Sequence, residues 1–421
     1  MTRAIRVLLM VENVSLARDH RLRKHAAALA EAGMRVTVIC RRDPANRVVP
    51  GVRVLDYPAP PDGTTKLGFV WEYLYSVAMA GLLTARVMVS GGVDVVQVSS
   101  TPDIYFLLTA PLRLLGRKVV FDFKDLSPEI FEARYARADG LMYKLLKRFE
   151  RASLRSADQV VAVNDAVREV ALRRGGVPAT AVTIVGNGPR IAQTARREPR
   201  PELRRGYPRL AVLAGMMGPQ DGIEIAVRAV AHLVHTIGRT DCAFTFVGVG
   251  DAVAGAERLS SELALDPWIT FPGWVEQEEV FDYLCTADIG LEPNVEEFVT
   301  PVKAMEYMAF ALPFVAFDVR ETRLMARGAA ALAAPGDAES FARMMEQLLT
   351  DGDRRAELGR AGRAAVEQVL AWDHQQARYV AMMAGLAGAG LAGVGLAGRG
   401  RSGKRRAVTS GDDRAVRGRR A

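Results

Sequence analysis

A short apolar run, a helical stretch with one apolar face, a glycine and another apolar run recur along most of this 421-residue chain. The first instance spans 5–40, where VLLM and VTVIC flank LARDHRLRKHAAALAEAGM. Leu22, Ala26, Leu29 and Ala30 fall on one helical face, and Gly33 suits the left-handed residue that closes a helix. Strand, helix and strand joined this way form a right-handed unit with parallel strands, and its repetition winds helices onto both faces of one sheet. Apolar runs at 5–10, 35–40, 52–57, 94–98, 118–123, 159–163 and 183–185 predict the strands of a first sheet. A second series at 210–213, 244–247, 268–271, 289–291, 313–317 and 330–332 predicts another, with helices at 223–237, 278–287, 301–309 and 338–349. The expected fold class is α/β, with two doubly wound, Rossmann-like domains at 1–185 and 210–370 and a Pro/Gly/Arg-rich linker at 186–209. A helix at 371–384 and a low-complexity, disordered basic tail at 385–421 complete the expected organisation. Such sheets bind ligands beyond the carboxyl ends of their strands, so the cleft between the domains is the expected site.

Composition narrows the possible functions. The chain is 49% hydrophobic and 25% charged, enough for two cored domains and too apolar for a disordered protein. Cys40, Cys242 and Cys285 lie far apart, which argues against a disulfide framework and a cysteine zinc site and fits a reducing compartment. The net charge of +8 is concentrated: nine basic and two acidic residues between Arg399 and Ala421 carry +7 of it. The nearly neutral body lacks the basic groove of a nucleic-acid-binding fold, so no nucleic acid partner is expected.

The opening MTRAIRVLLMVEN has no small-residue cleavage site, which predicts a cytoplasmic location. Residues 71–89 are apolar, but Glu72 and Arg86 leave 13 uncharged residues between them. That is short of the ~20 a membrane span needs, and a buried helix is expected. Residues 379–398 carry no charge and run into the repeat GLAGA-GLAGV-GLAGR, which reads as a flexible linker. In LMYKLLKRFERASLR, 141–155, Leu141, Leu145, Leu146, Phe149 and Leu154 alternate with Lys144, Lys147, Arg148, Arg151 and Arg155. Such a helix suits either an ordinary half-buried position or an anionic membrane surface, to which the basic tail would add attraction.

The segment richest in chemistry is TPVKAMEYMAFALPFVAFD, 300–318. Thr300 is a candidate N-cap and Pro301 a favoured first helical residue, so the pair predicts a helix start. Free N–H groups at that end attract anions, and Lys303 on the first turn adds a full charge. Glu306 shares a face with Lys303. A cation and N–H groups for a diphosphate, with a carboxylate one turn deeper for ribose hydroxyls, suit a nucleotide sugar; an ordinary Lys303–Glu306 surface pair suits the same spacing. Gly215 and Gly218 in LAGMMGPQDGIE would let backbone approach a ligand closely. Gly248, Gly250 and Gly273 end strands where any tight turn uses glycine. In FDFKDLSPE, Asp125 and Ser127 suit a helix cap as well as hydroxyl recognition, and Asp19 likewise suits an N-cap. His232 and His235 of HLVH have no evident third ligand, so no metal is expected.

The 300–318 segment resembles the donor-site signature of bacterial family-4 (group 1) glycosyltransferases of the GT-B fold. DHRLRKHAAALAEAGMRVTVIC, FDFKDLSPEIF, the run from Glu150 to Asn164, VTIVGNGP, GMMGPQDGIE, FPGW, FDVRETR and VLAWDHQ match that family in order over about residues 1–380. The resemblance implies two Rossmann-like domains facing across a cleft. It also implies retaining, metal-independent transfer from a nucleotide sugar, most often UDP-linked, with no cofactor beyond that co-substrate. Diphosphate and ribose contacts are implied at Thr300, Pro301, Lys303, Glu306, Gly215 and Gly218, and base contacts at the loops of Gly248, Gly250 and Gly273. Asp125, Lys124 and His20 are implied beside the transferred sugar, and Asp19, Arg21 and Glu129 on the acceptor side. The implied acceptor is a saccharide or a polyprenyl-linked saccharide at the inner face of the plasma membrane, in surface polysaccharide or glycolipid synthesis.

Four positions depart from the family pattern. Phe298 stands where many relatives carry a glutamate, Met216 and Asp221 where many carry Arg and Lys, and Lys124 where they usually show His. More of the leaving-group charge then falls on Lys303 and the helix end. Arg320 and Arg323 are candidate replacements, although Arg323 also suits a surface pair with Glu321. The same departures suit a second reading, a catalytically silent nucleotide-sugar-binding subunit that supports a partner transferase.

Overall fold

The computed structural model describes residues 3–388 apart from 13, 48, 60–65, 102 and 136–139. Its strands form two parallel sheets. The first contains β1 (Arg6–Met10), β2 (Arg35–Arg41), β3 (Arg53–Tyr57), β4 (Val95–Ser99), β5 (Lys118–Phe123), β6 (Gln159–Ala162) and β7 (Val182–Ile184), ordered β3-β2-β1-β4-β5-β6-β7. The second contains β8 (Arg209–Ala214), β9 (Cys242–Val247), β10 (Ile269–Gly273), β11 (Ile289–Glu292), β12 (Phe314–Phe317) and β13 (Ala330–Ala333), ordered β10-β9-β8-β11-β12-β13. Every apolar run expected as a strand is one. β4, β6 and β9 are buried at each residue, because helices cover both faces of a parallel sheet, and they read as largely apolar runs broken by Gln97, Ser99, Gln159 and Thr245.

Two strands set the position of any ligand. Val7 of β1 faces Val36 of β2 on one side and Val95 of β4 on the other. β8 is flanked in the same way by β9 and β11. At β1 and at β8 the direction of winding reverses, which opens a crevice beyond the carboxyl end of each.

The chain's last described helix, Trp372–Leu386, returns to the first domain. Trp372, Tyr379, Met383 and Ala384 join the core formed by Val7, Leu9, Leu22 and Val36. The helix expected at 371–384 is present and runs on to Leu386 as a packed seam, so the linker reading of 379–398 does not hold over 379–386; Tyr379 and Met383, one turn apart, both face that core. The remainder of the repeat and the basic tail, from 389 on, lie outside the described residues. Beneath the seam the His25 ring stacks on Tyr379 with centroids 4.2 Å apart. Tyr379 donates to Gln97 Oε1 at 2.7 Å, and Gln97 Nε2 lies 3.1 Å from His25 Nδ1. The Trp372 amide donates to the Pro189 carbonyl at 2.9 Å, so the two crossings between domains lie side by side. The stretch expected as a linker crosses only in its first residues. From Ile191 onward it packs on the second domain's core through Ile191, Leu203 and Tyr207, and Arg200 pairs with Asp282 at 3.1 Å.

The helix Lys66–Ser90 corrects the expectation of a buried element at 71–89. It covers the sheet with Ser76, Ala80, Thr84 and Val87, while Trp71, Leu74 and Leu82 on the opposite face are 60%, 58% and 66% exposed. The larger apolar side chains thus face outward. Only one face of a surface helix can touch the sheet, and here it is the face of smaller side chains.

Candidate active site

In the second domain, β8 ends in the turn Gly215–Gly222 and β11 ends at Glu292, on either side of the crevice. Gly215 adopts φ +137°, and a Cβ there would meet Lys303 Cγ and Cε at 3.1 Å. The lysine chain runs across the bare face of this glycine. Its ammonium reaches Asp221 Oδ1 at 2.5 Å, while Asp221 Oδ2 accepts from the Gly218 amide at 2.8 Å. Gly248, at φ +138°, is required by packing, since a Cβ would fall 1.9 Å from the Gly215 carbonyl oxygen. Gly250 and Gly273 end the neighbouring turns, and these loops support the Gly215 turn directly, Met217 N–H bonding Val249 O at 3.0 Å.

The helix Val302–Ala309 starts one residue later than expected. Pro301 occupies the capping position, and Thr300 does not cap, because its hydroxyl accepts from Asn164 of the first domain at 2.8 Å. Glu292, 1% exposed, takes the inner part of the helix end that the sequence suggested for an anion. Burial pushes its pKa up, against the pull of Lys303 and of the Asn294 and Ala304 amides. Burial also opposes the charge of Lys303, but Glu292 and Asp221 outweigh it and hold the ammonium charged. The Glu306 carboxylate accepts no hydrogen bond among the described residues. Burial raises its pKa, and Lys24 of the first domain, then Lys303, pull it back. Lys24 in turn donates to the Asn187 and Gly188 carbonyls at 3.3 and 2.8 Å, and burial lowers its pKa to about 8.

On the first-domain side, β5 ends at Phe123, and Ser100 Oγ accepts from the amides of both Lys124 and Asp125, at 3.0 and 3.1 Å. Lys124 Nζ lies 3.0 Å from Asp19 Oδ2, while Asp19 Oδ1 caps the helix His20–Glu31 by accepting from Leu22 N–H at 2.8 Å. The Asp125 carboxylate accepts no hydrogen bond among the described residues, and burial raises its pKa while Lys124 opposes the rise. The helix Ser127–Tyr135 that follows lies against the turn Pro219–Asp221, so Asp125 precedes an element that faces the donor-side turn. Three of the residues expected at the site have other partners here. Arg21 is buried, held by Asp122 at 2.8 Å and by the Val185 carbonyl at 2.8 Å, and supports the linker rather than an acceptor. Glu129 is engaged by Arg174, which also binds buried Glu150 at 3.0 Å. His20 is exposed and pairs with Arg23 at 2.6 Å.

Family models match both halves of the chain. The description Glycosyl transferase 4-like domain applies to residues 19–188 and Glycosyl transferases group 1 to residues 208–351, three quarters of the chain together. The chain belongs to the group 1 glycosyltransferases. A 2-deoxystreptamine glucosyltransferase from Streptomyces kanamyceticus is 27% identical over 346 residues, 77% of this chain and 87% of that one. The sucrose-phosphate synthase structure from Thermosynechococcus elongatus superimposes with TM-score 0.74 at 20% identity, covering 92% of this chain and 100% of that one. Anabaena HepE in complex with UDP-glucose gives TM-score 0.71 at 16% identity, covering 90% and 100%. The fold is GT-B.

The departures of this glycosyltransferase have physical consequences. Phe298 packs against the first domain's core instead of presenting a carboxylate. Met216 is 62% exposed. Arg320 is spent on Glu169, with one contact at 3.1 Å, and Arg323 on Asp318 rather than Glu321, at 2.6 Å. Lys303 is the cation that the structure brings to the β8 crevice. Glu292, Lys24 and Asn164 were not assigned roles from sequence; the detectable signal was an acid immediately after an apolar strand for Glu292 and a polar residue ending one for Asn164.

Proposed function

We propose that this glycosyltransferase moves a sugar from a nucleotide donor, UDP-linked, to a saccharide or lipid-linked acceptor, with retention and without a metal. The carrying observation is the Lys303 ammonium drawn across Gly215 at the reversal point of the second sheet, with the unbonded Glu306 carboxylate one turn deeper. Lys303 and the first amides of its helix would meet the charge that grows on the diphosphate as the bond from the anomeric carbon to phosphate oxygen breaks. Glu306 would accept from ribose hydroxyls, and Asp125 from hydroxyls of the sugar. Lys124, held by Asp19, adds positive charge on the first-domain side. Lys303→Ala and Glu306→Ala are each expected to weaken UDP binding at least tenfold by calorimetry; unchanged affinity in both sinks the assignment. Product anomer and activity in chelator test retention and metal independence.

The Lys303–Asp221 pair also favours a second reading, a silent nucleotide-sugar-binding subunit, because the cation is partly neutralised. Release of UDP from a panel of UDP-sugars without acceptor separates the two, and binding without release supports the subunit. The Streptomyces relative's name adds an aminocyclitol to the acceptor panel.

We place the work at an anionic, cytoplasmic membrane surface in polysaccharide or glycolipid synthesis. Support comes from Trp71, Leu74, Leu82 and Val89, exposed on one helix face, with Leu107 and Leu114 exposed on the helix Phe106–Leu114. Lys144, Arg148, Arg151 and Arg155 form an exposed basic stripe on the neighbouring helix Leu141–Ser156. Apolar insertion beside a basic stripe suits anionic lipid. Flotation with phosphatidylglycerol vesicles should fall severalfold for Trp71→Asp/Leu82→Asp and persist in a chain ending at 388; equal flotation of the double variant refutes this face.

A further inference from the structure

We infer that Asn164, in the first domain, is a positioning residue for the donor site of the second: it fixes the Thr300 hydroxyl as a hydrogen-bond donor toward the diphosphate. The inference rests on the reading that Thr300 and Lys303 border the diphosphate. Asn164 is 7% exposed and stands between β6 and the helix Asp165–Val170. Its Oδ1 accepts from the Val167 amide at 2.8 Å, capping that helix. This bond settles which end of the amide is which, because a backbone N–H can only meet the oxygen. The Nδ2 group therefore points across the cleft. It donates to the Phe298 carbonyl at 2.9 Å and to Thr300 Oγ1 at 2.8 Å.

Both hydrogens of the Asn164 amide are thus used. Thr300 Oγ1 must be an acceptor in this pair, which leaves its own O–H to donate elsewhere. Thr300 lies two residues before the helix Val302–Ala309, at the end where an anion is favoured. An ordinary threonine hydroxyl rotates and serves equally as donor or acceptor. Here the Asn164 amide takes one acceptor site of the oxygen, so the hydroxyl hydrogen is turned away from Asn164 and left for a partner on another side, where an anionic oxygen would use it.

Other contacts hold the same surfaces together. Glu321 Oε1 accepts from the Ala166 amide at 3.1 Å, Arg320 pairs with Glu169, and Phe298 packs against the first-domain core. Asn164 differs from them in touching the donor loop through a side chain with functional consequence. The donor site is therefore completed from outside its own domain.

The test is a double-mutant cycle on UDP affinity in the full chain. Asn164→Ser keeps a residue able to cap the helix but is too short to reach Thr300, and Thr300→Val removes the hydroxyl at nearly constant shape. Each is expected to weaken UDP binding by about five- to tenfold, with a double variant no weaker than either single one, since both delete one interaction. Melting temperatures within a few degrees of the wild type confirm that the variants fold, and Thr300→Ser should restore most of the affinity lost in Thr300→Val. Independent, multiplying losses, or an Asn164→Ser chain with wild-type affinity, overturn the inference while Lys303→Ala still weakens binding. If Lys303→Ala also binds UDP normally, the donor-site reading itself has failed and this inference falls with it.

Discussion

His25 shows how a single buried side chain makes stability depend on pH. Burial, then the charge of Arg21, push its pKa down to about 3. Tyr379 donates to the Gln97 oxygen, so the Gln97 amide nitrogen faces His25 Nδ1, which accepts as a neutral imidazole does. Unfolded histidine takes up a proton near pH 6.5 while the folded ring stays neutral down to about pH 3, so the unfolded state binds more protons across that window. The contribution is complete above pH 6.5 and is lost as pH falls toward 3, by up to about 5 kcal/mol. Thermal melts of His25→Gln should show a flatter dependence over this window than the wild type; parallel curves would mean that His25 is not the group responsible. The same scale explains why Arg21 was misread. Its position at the start of a helix was visible in the sequence, but Asp122, which buries it, lies 101 residues away.

At the scale of the element, what was legible followed from local pattern. Strands such as Phe314–Phe317 were readable because two covering layers demand apolar residues throughout. The Lys66–Ser90 helix was not, because composition records how apolar a helix is and not which face meets the sheet. The Val302–Ala309 helix start was misplaced by one residue for a different reason: Thr300 is a good cap in isolation, and a side chain from the other domain competes for its hydroxyl. Lys303 and Glu306 were legible as a pair, while Glu292, which takes the first-turn amide of Ala304, was hidden as the last residue of a strand. The seam helix gives a direct contrast between faces. Tyr379→Ala, which empties a fully buried site and strands Gln97, should cost on the order of 3–5 kcal/mol in urea unfolding. Leu82→Ala on the exposed stripe should stay within about 0.5 kcal/mol, and similar losses for both would contradict the packing described.

For the whole molecule, the two sheets place their reversal points on opposite sides of one cleft, and contacts of several kinds span it, among them amide hydrogen bonds at Asn164, the Glu169–Arg320 ion pair, Phe298 packed on the first-domain core, and the field between Lys24 and Glu306. Any motion that separates the two surfaces there must break the Asn164 bonds and the Glu169–Arg320 pair. The return of Trp372 and Tyr379 to the first domain has a consequence for how the protein is made. Translation delivers the last strand of that domain at Ile184, yet four of its core side chains, Trp372, Tyr379, Met383 and Ala384, arrive only after the entire second domain has left the ribosome. Domains generally fold in the order of their synthesis. Here the half that is made first is finished last, and the nascent chain must carry an unroofed His25 through the synthesis of its other half.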